Sequence, residues 1–314
     1  MKLSKAVEGF LLYAGSGVYS LASIETMDGR LKHIIEYFGD PEIETLTLTD
    51  WQRYMRHLTT EYRPKRFGDI QAPIKEATRD GHWKVIKSFY NWATDALEIE
   101  RPDCKLTRPK FDTPQIVPYT QDEVKRLLDA CQSTQVQKHN GQKYKIRRPN
   151  ADRDKTILLI LLDTGIRLGE LCRLRVGDIN LENGEVYIRS HRDGRKSKSR
   201  TVYIGARTKQ AVWKYVARLQ ANPDQTMPLF ELKDSSIHWL IKRIGKNAHV
   251  PNTYPHKFRH TFAVNYLRNG GDVFSLQRLL GHATLNMTRQ YVNLAKTDIA
   301  GAHRVASPVD NWRL

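Results

Sequence analysis

A mainly α-helical chain with one small antiparallel β-sheet, an α+β arrangement in two domains, is predicted by three observations. Apolar residues recur at helical spacing through 3–100 and again through most of 120–291. Two short β-prone runs, 186–189 and 201–204, flank the basic turn SHRDGRKSKS. Between the two helical regions lies a break containing Pro102, Pro109, Pro114 and Pro118. The expected layout is a helical domain over 1–100, a linker over 101–118, a second domain over 119–292 and a tail over 293–314.

In the first domain, Val7, Phe10, Leu11 and Leu12 mark a helix that Gly15 and Gly17 end. A second helix spans 20–38 on the stripe Leu21, Ile24, Leu31, Ile34, Ile35 and Phe38, and Gly39, Asp40 and Pro41 close it. Thr49 or Asp50 caps a third, which carries Trp51, Tyr54, Met55 and Leu58. The fourth and longest runs over about 71–96, with Ile74, Trp83, Ile86, Phe89, Tyr90 and Trp92 to close a small bundle.

In the second domain, Thr120 and Glu123 form a capping box before QDEVKRLLDACQ. Residues 135–153 read as an exposed basic loop, and 156–162 as a buried helix leading into TGIRLGEL. The two β-prone runs make a hairpin or a small three-stranded sheet. Helices resume at 209–220, 235–247 and 256–291, and another begins the tail over 294–302.

Fifty-one Lys and Arg against 34 Asp and Glu give a net charge of +17, with a pI near 9.7. Such a field gathers polyanions, so nucleic acid is the first partner to expect. Mean hydropathy is -0.58, and no long apolar run suggests a membrane span or secretion signal. A soluble intracellular protein is expected. Cys104, Cys131 and Cys172 lack paired spacing, which speaks against a disulfide framework or zinc site.

The stretch HKFRHTFAVNYLRNGGDVFSLQRLLGHATLNMTRQY concentrates chemistry. His256 and Arg259 lie three apart, one helical turn, within joint reach of one anionic group. Gly281 follows Leu279 and Leu280 as a helix terminator, which puts His282 on the turn beyond. Tyr291 comes nine residues later. Cations grouped around a phenol suit attack by tyrosine on a phosphodiester. Upstream, Gly165 and Gly169 flank Arg167, so Arg167 and Arg259 together offer two planar guanidiniums to one phosphate.

These residues carry a family resemblance. Residues 120–300 resemble the catalytic domain of the tyrosine recombinase (phage integrase) family. TGIRLGEL matches its first arginine box, HKFRH its His-x-x-Arg box, LLGH its second histidine and Tyr291 its nucleophile. The N-terminal helices resemble the family's core-binding domain by shape and position only. The resemblance implies that Arg167 and Arg259 bind the scissile phosphate and that Tyr291 attacks it, leaving a 3′-phosphotyrosine and a free 5′-hydroxyl. His256 and His282 would hydrogen-bond the phosphate and assist proton movement. The family's general-acid lysine falls on the basic hairpin. Alignment on RTVYI favours Lys196, a shorter turn selects Lys198, and Arg195 stands where some members have their lysine. His260, Tyr266 and Tyr254 are expected to pack helices or position phosphate, not to do chemistry.

The resemblance also implies no cofactor, no metal and no ATP, because the phosphotyrosine conserves the energy of the broken bond. It implies double-stranded DNA with paired inverted-repeat core sites as substrate. A homotetramer would form on that DNA, from a monomer or weak oligomer, joining sites through a Holliday junction. The setting would be cytoplasmic and nucleoid-associated. Arg53, Arg56, Lys84 and Lys87, in the basic patches of the first domain, are candidate DNA contacts, as are Lys242 and Arg243 in the second. His82 belongs to the same basic patches. Two basic domains joined by a basic linker suit a clamp around a duplex. The tail has Val305, Val309 and Trp312 as anchors, either for exchange onto a neighbouring protomer or for folding back on its own domain. The chain opens directly on core-binding-like helices, which points to a compact recombinase without an arm-binding domain. The rival functions are strand relaxation by a type IB topoisomerase and an architectural DNA-binding protein on the same scaffold.

Overall fold

The computed structural model describes residues 1–64, 72–110, 115–132, 137–139, 142–144, 148–190, 199–219, 224–295, 303 and 307–312. The chain forms two compact units, Met1–Pro114 and Gln115–Leu314.

The first unit is helical. Helix α1 (Leu3–Tyr13) runs into a π-type turn, Ala14–Val18, where Gly17 takes φ +94°. Ser20 caps α2 (Leu21–Phe38) by accepting from the Ser23 amide, and Gly39 ends it in the left-handed region. Helix α3 (Leu48–Thr60) starts earlier than expected. Its cap is Thr47, and Asp50 sits inside the first turn, accepting from the Thr47 amide at 3.0 Å to complete a capping box. Helix α4 (Glu76–Leu97) starts later than expected, because Pro73 disfavours helical backbone at the residue before it.

Phe10, Leu31, Ile34, Trp51, Ile86 and Phe89 fill the core of this unit. The polar atoms of its large aromatics are satisfied inside the bundle. Trp51 Nε1 donates to Tyr90 Oη at 3.1 Å, and Tyr54 Oη lies 2.9 Å from His33 Nδ1 and 2.8 Å from His82 Nδ1. His82 is therefore buried at 5% exposure and does not belong to a basic surface. The residues after α4 also pack onto this unit. Leu106 is buried, its carbonyl accepts from Trp83 Nε1 at 3.0 Å, and Asp103 pairs with Lys87 and Arg101.

The second unit opens with α5 (Gln121–Gln132), whose Thr120–Glu123 capping box forms as expected. The following stretch was expected to be loop, but it contains an antiparallel pair, β1 (Gln137–His139) and β2 (Gln142–Tyr144). Its polar composition lacks the apolar alternation that announces a strand. Helix α6 (Ala151–Thr164) is longer than the apolar run that revealed it and packs against α5 and against α8 and α10, defined below. Helix α7 (Leu168–Cys172) follows at once.

Strands β3 (Glu185–Ile188) and β4 (Arg200–Tyr203) pair antiparallel, and a single bridge from Ile179 to Val186 extends β3 on its other side. Val186, Ile188 and Val202 face the core, while Glu185 and Tyr187 face solvent. Helices α8 (Ala206–Leu219), α9 (Asp234–Asn247), α10 (Pro255–Arg268), α11 (Val273–Leu280), α12 (Asn286–Ala295) and α13 (Pro308–Trp312) complete the unit.

The main core gathers Ile157, Leu161, Val186, Ile237, Ile241 and Phe258. A smaller one joins α10, α11 and α12 through Ala263, Val264, Leu267, Leu276, Leu280 and Tyr291. That second core fixes the position of the phenol. Among the described residues, no helix is long and apolar enough to cross a membrane.

Candidate active site

The site is built where α6 ends, α10 begins and α11 ends. Gly165 closes α6 at φ +62°, a conformation that strains any residue bearing a Cβ. It is also crowded, since a Cβ there would lie 2.4 Å from Phe262 Cδ1. The turn it makes points the chain into α7, with Arg167 as the residue before the first helical turn. Glu170 accepts from the Arg167 amide at 2.8 Å and pairs with its guanidinium at 3.2 Å. Arg167 Nη2 lies 3.5 Å from the Gly281 carbonyl, and its side chain is 31% exposed.

Arg259 projects from α10 and is 1% exposed. Its two terminal nitrogens donate to the carbonyls of Gly165 at 2.8 Å and Leu280 at 2.7 Å, the C-terminal ends of α6 and α11. These are carbonyls that helix ends leave without an intrahelical partner. Burial, then the nearby Arg167 charge, lowers its pKa to about 10, so it stays cationic at neutral pH. A guanidinium has five N–H donors, so the two carbonyls leave it capacity for a further oxyanion.

Pro255 occupies the first turn of α10, where its fixed φ suits a helix start, and His256 comes next. His256 is solvent-exposed, and its ring meets that of His260 edge-on at 4.5 Å. Desolvation by the surrounding protein, then the Arg259 and Arg167 charges, lowers its pKa. Gly281 ends α11 at φ +63° and places His282 on the turn, where Nδ1 lies 2.9 Å from Thr288 Oγ1. Burial lowers the His282 pKa to about 4, with Arg259, Arg167 and Arg200 adding to the effect.

Tyr291, on α12, is 1% exposed. Its ring stacks at 6.3 Å and 11° from His282, and its hydroxyl lies 2.9 Å from His260 Nδ1. Burial raises the phenol pKa, and the positive charges of Arg259 and Arg167 oppose that rise.

The second unit thus brings together Arg167, His256, Arg259, His282 and Tyr291, from four separate stretches. Lys196, Lys198 and Arg195 lie outside the described residues. Tyr266 packs on Phe262, with ring centroids 5.6 Å apart. Of the candidate DNA contacts, Arg53 and Arg56 are exposed on α3, Arg53 lying 3.6 Å from Asp50. On α4, Lys84 pairs with Asp80 at 2.7 Å and Lys87 with Asp103 at 3.1 Å. On α9, Lys242 lies over the Trp239 ring at 5.2 Å and Arg243 is exposed.

Sequence reasoning missed Arg200. It sits at the start of β4 and forms a bidentate pair with Glu170 at 2.9 and 2.8 Å, while Nε donates to the Leu279 carbonyl at 2.6 Å. One side chain thereby ties the sheet to α7 and to the end of α11. Its position among the four Lys and Arg between 195 and 200 gave no local sign of that role. Burial raises the Glu170 pKa, but the Arg200 and Arg167 interactions outweigh it and bring it down to about 2. Among the described residues, no cluster of three or more His, Cys, Asp or Glu is arranged to hold a metal ion.

The phage integrase family profile matches residues 119–298. The tyrosine recombinase XerA of Saccharolobus solfataricus is 31% identical over 295 residues, 92% of this chain and 87% of that protein. The tyrosine recombinase XerC of Escherichia coli O157:H7 is 29% identical over 279 residues, 83% of each chain. The structure of the Tn1549 transposon integrase in complex with circular intermediate DNA superposes with a TM-score of 0.70, at 19% identity, over 93% of this chain and 95% of that one. At that identity the likeness concerns the fold. With the family profile spanning more than half its length, the chain belongs to the phage integrase family and is a site-specific tyrosine recombinase, a DNA strand-exchange enzyme.

Proposed function

We propose that Tyr291 is the nucleophile and that Arg167 and Arg259 hold the scissile phosphate while His256 and His282 hydrogen-bond its oxygens. The observation that carries this reading is the convergence of the four cation-capable side chains on one buried phenol inside a single folded unit. Two guanidiniums neutralise the charge that builds on the non-bridging oxygens as phosphorus becomes five-coordinate. Tyr291 Oη bonds to phosphorus, the bond to the 5′-oxygen breaks, and Lys196 supplies the proton that oxygen needs. An ammonium can act as that acid at neutral pH, whereas a guanidinium holds its proton too tightly. The 3′-phosphotyrosine conserves the bond energy for rejoining, so the cycle needs no ATP, cofactor or metal.

Four protomers acting on two inverted-repeat sites, exchanging strands in turn through a Holliday junction, complete the reaction. The first unit contributes the core-binding surface through Arg53, Arg56, Lys84 and Lys87, and the second adds Lys242 and Arg243. The two units clamp a duplex, the tail passes to a neighbouring protomer, and the protein works in the cytoplasm on the nucleoid.

The test incubates wild type and Tyr291→Phe with a plasmid library of candidate flanking sites, without metal or ATP. Protein covalently attached to a DNA 3′ end in wild type alone is the expected result, and sequencing the attached DNA identifies the site. An adduct that survives Tyr291→Phe would remove Tyr291 from the role of nucleophile.

A further inference from the structure

Packing accounts for the ring of Tyr291 but not for its hydroxyl, which lies 2.9 Å from His260 Nδ1. A buried phenol hydroxyl left without a partner costs the desolvation of its polar group. With Tyr291 Oη as the donor, His260 Nδ1 is the acceptor and the imidazole carries its own proton on Nε2, the tautomer in which the ring can take the phenol proton. Of the two histidines on this face of α10, His260 is the one hydrogen-bonded to the phenol, and the His256 ring meets that of His260 edge-on at 4.5 Å.

The helix sets this pairing. His260 follows Arg259 directly, so one turn of α10 presents the guanidinium to the carbonyls of Gly165 and Leu280 and the imidazole to Tyr291. Attack on phosphorus requires the phenol to lose its proton as the Oη–P bond forms. A group already holding that proton at hydrogen-bond distance has the geometry of a general base.

We propose that His260 is the proton acceptor for Tyr291, a role that rests on the recombinase reading of Tyr291 as nucleophile. As Tyr291 Oη bonds to phosphorus, its proton passes to His260 Nδ1 and the bond to the 5′-oxygen breaks, that oxygen taking a proton from the general acid. In rejoining, the 5′-hydroxyl attacks the phosphotyrosine and the imidazolium returns its proton to the departing Oη. Before DNA binds, burial, His256 and Arg259 disfavour an imidazolium at His260 and keep the phenol protonated. A phosphate seated on Arg167 and Arg259 brings negative charge beside the imidazole and makes it a better base. Nucleophile activation is thereby coupled to substrate binding.

The test uses the full chain and a duplex carrying the site recovered from the wild-type adduct, prepared with a normal and with a 5′-bridging phosphorothiolate linkage. Single-turnover adduct formation is followed for wild type, His260→Ala and His260→Asn, alongside DNA binding and thermal unfolding. Asn offers an oxygen that accepts the hydrogen bond but cannot keep the proton. Both variants are expected to bind DNA normally and form adduct about 100-fold more slowly on both duplexes, with the deficit shrinking as pH rises. If Ala fails to fold, Asn, which keeps the hydrogen bond, carries the comparison. A wild-type rate in either variant overturns the proposal. Rescue by the sulfur leaving group, which needs no acid, would place His260 on the opposite side of the reaction and equally overturn it. An adduct from Tyr291→Phe on the same duplex would overturn the underlying assignment of Tyr291, a result distinct from fast His260 variants.

Discussion

Glu170 was assigned no chemistry from sequence, yet two guanidiniums of the site depend on it. It pairs with Arg200 through two contacts and with Arg167 through a third, and it is 3% exposed. Arg200→Ala strands that buried carboxylate and frees the Leu279 carbonyl. The expected loss is about 3 kcal/mol of stability, read by denaturant unfolding. Arg200→Lys should recover little of it, because an ammonium cannot reproduce the two-point contact. A neutral Arg200→Ala would mean the pair contributes nothing net. Protonation matters at this scale as well. Burial holds the His82 pKa near 3, and burial with neighbouring charges holds His260 and His282 near 4, below the ordinary histidine value. Between about pH 6.5 and 4 the unfolded chain therefore binds more protons than the folded one, and stability falls as pH falls. Melting temperature should drop from pH 7 to pH 4, and His82→Gln should flatten that slope. A melting temperature that rises toward acid would contradict it.

Helix ends, more than helix middles, position the chemistry. The left-handed turns at Gly165 and Gly281 terminate α6 and α11, and the carbonyls just before or at those turns hold Arg259 and Arg167. Gly165→Ala combines a left-handed conformation, costing about 1–2 kcal/mol, with a Cβ 2.4 Å from Phe262. It should destabilise the second unit by about 2 kcal/mol or more in denaturant titration and slow adduct formation by displacing the Arg259 anchor. Gly15→Ala is the matched control, since a Cβ there meets nothing within 4 Å. Its expected effect is within about 0.5 kcal/mol. Equal losses at the two positions would refute the distinction.

At the scale of the whole molecule, the +17 charge sets how the protein meets a polyanion. Affinity for duplex DNA should fall steeply and log-linearly with salt, because each neutralised phosphate releases counterions. Arg53→Ala and Arg56→Ala should each lower the magnitude of that slope by about one, measured by fluorescence anisotropy across a salt series. Lys84→Ala and Lys87→Ala should move it less, since these ammoniums are already paired with Asp80 and Asp103. Unchanged slopes in all four variants would remove both helices from the DNA-binding surface.

What could be determined from sequence alone is what short-range geometry specifies. The one-turn spacing of His256 and Arg259, the termination of α11 at Gly281 and the placing of His282 on the turn beyond all follow from helix periodicity and glycine conformation, which act over a few residues. The early start of α3 and the β1–β2 pair were harder to see, because a one-turn shift of a cap and a polar hairpin leave the apolar pattern almost unchanged. Tertiary structure alone decided which charges are paired. The partners of Arg200 are 30 and 79 positions away in the chain, and that of His260 is 31 away. His82 and Arg79 look alike as cations near the start of α4, but His82 is enclosed in the bundle and hydrogen-bonded to Tyr54. Side-chain type records that a group can carry charge or a proton. Only the packing of elements distant in sequence determines which neighbour meets it and how far its solvation is lost, and those two quantities set its chemistry.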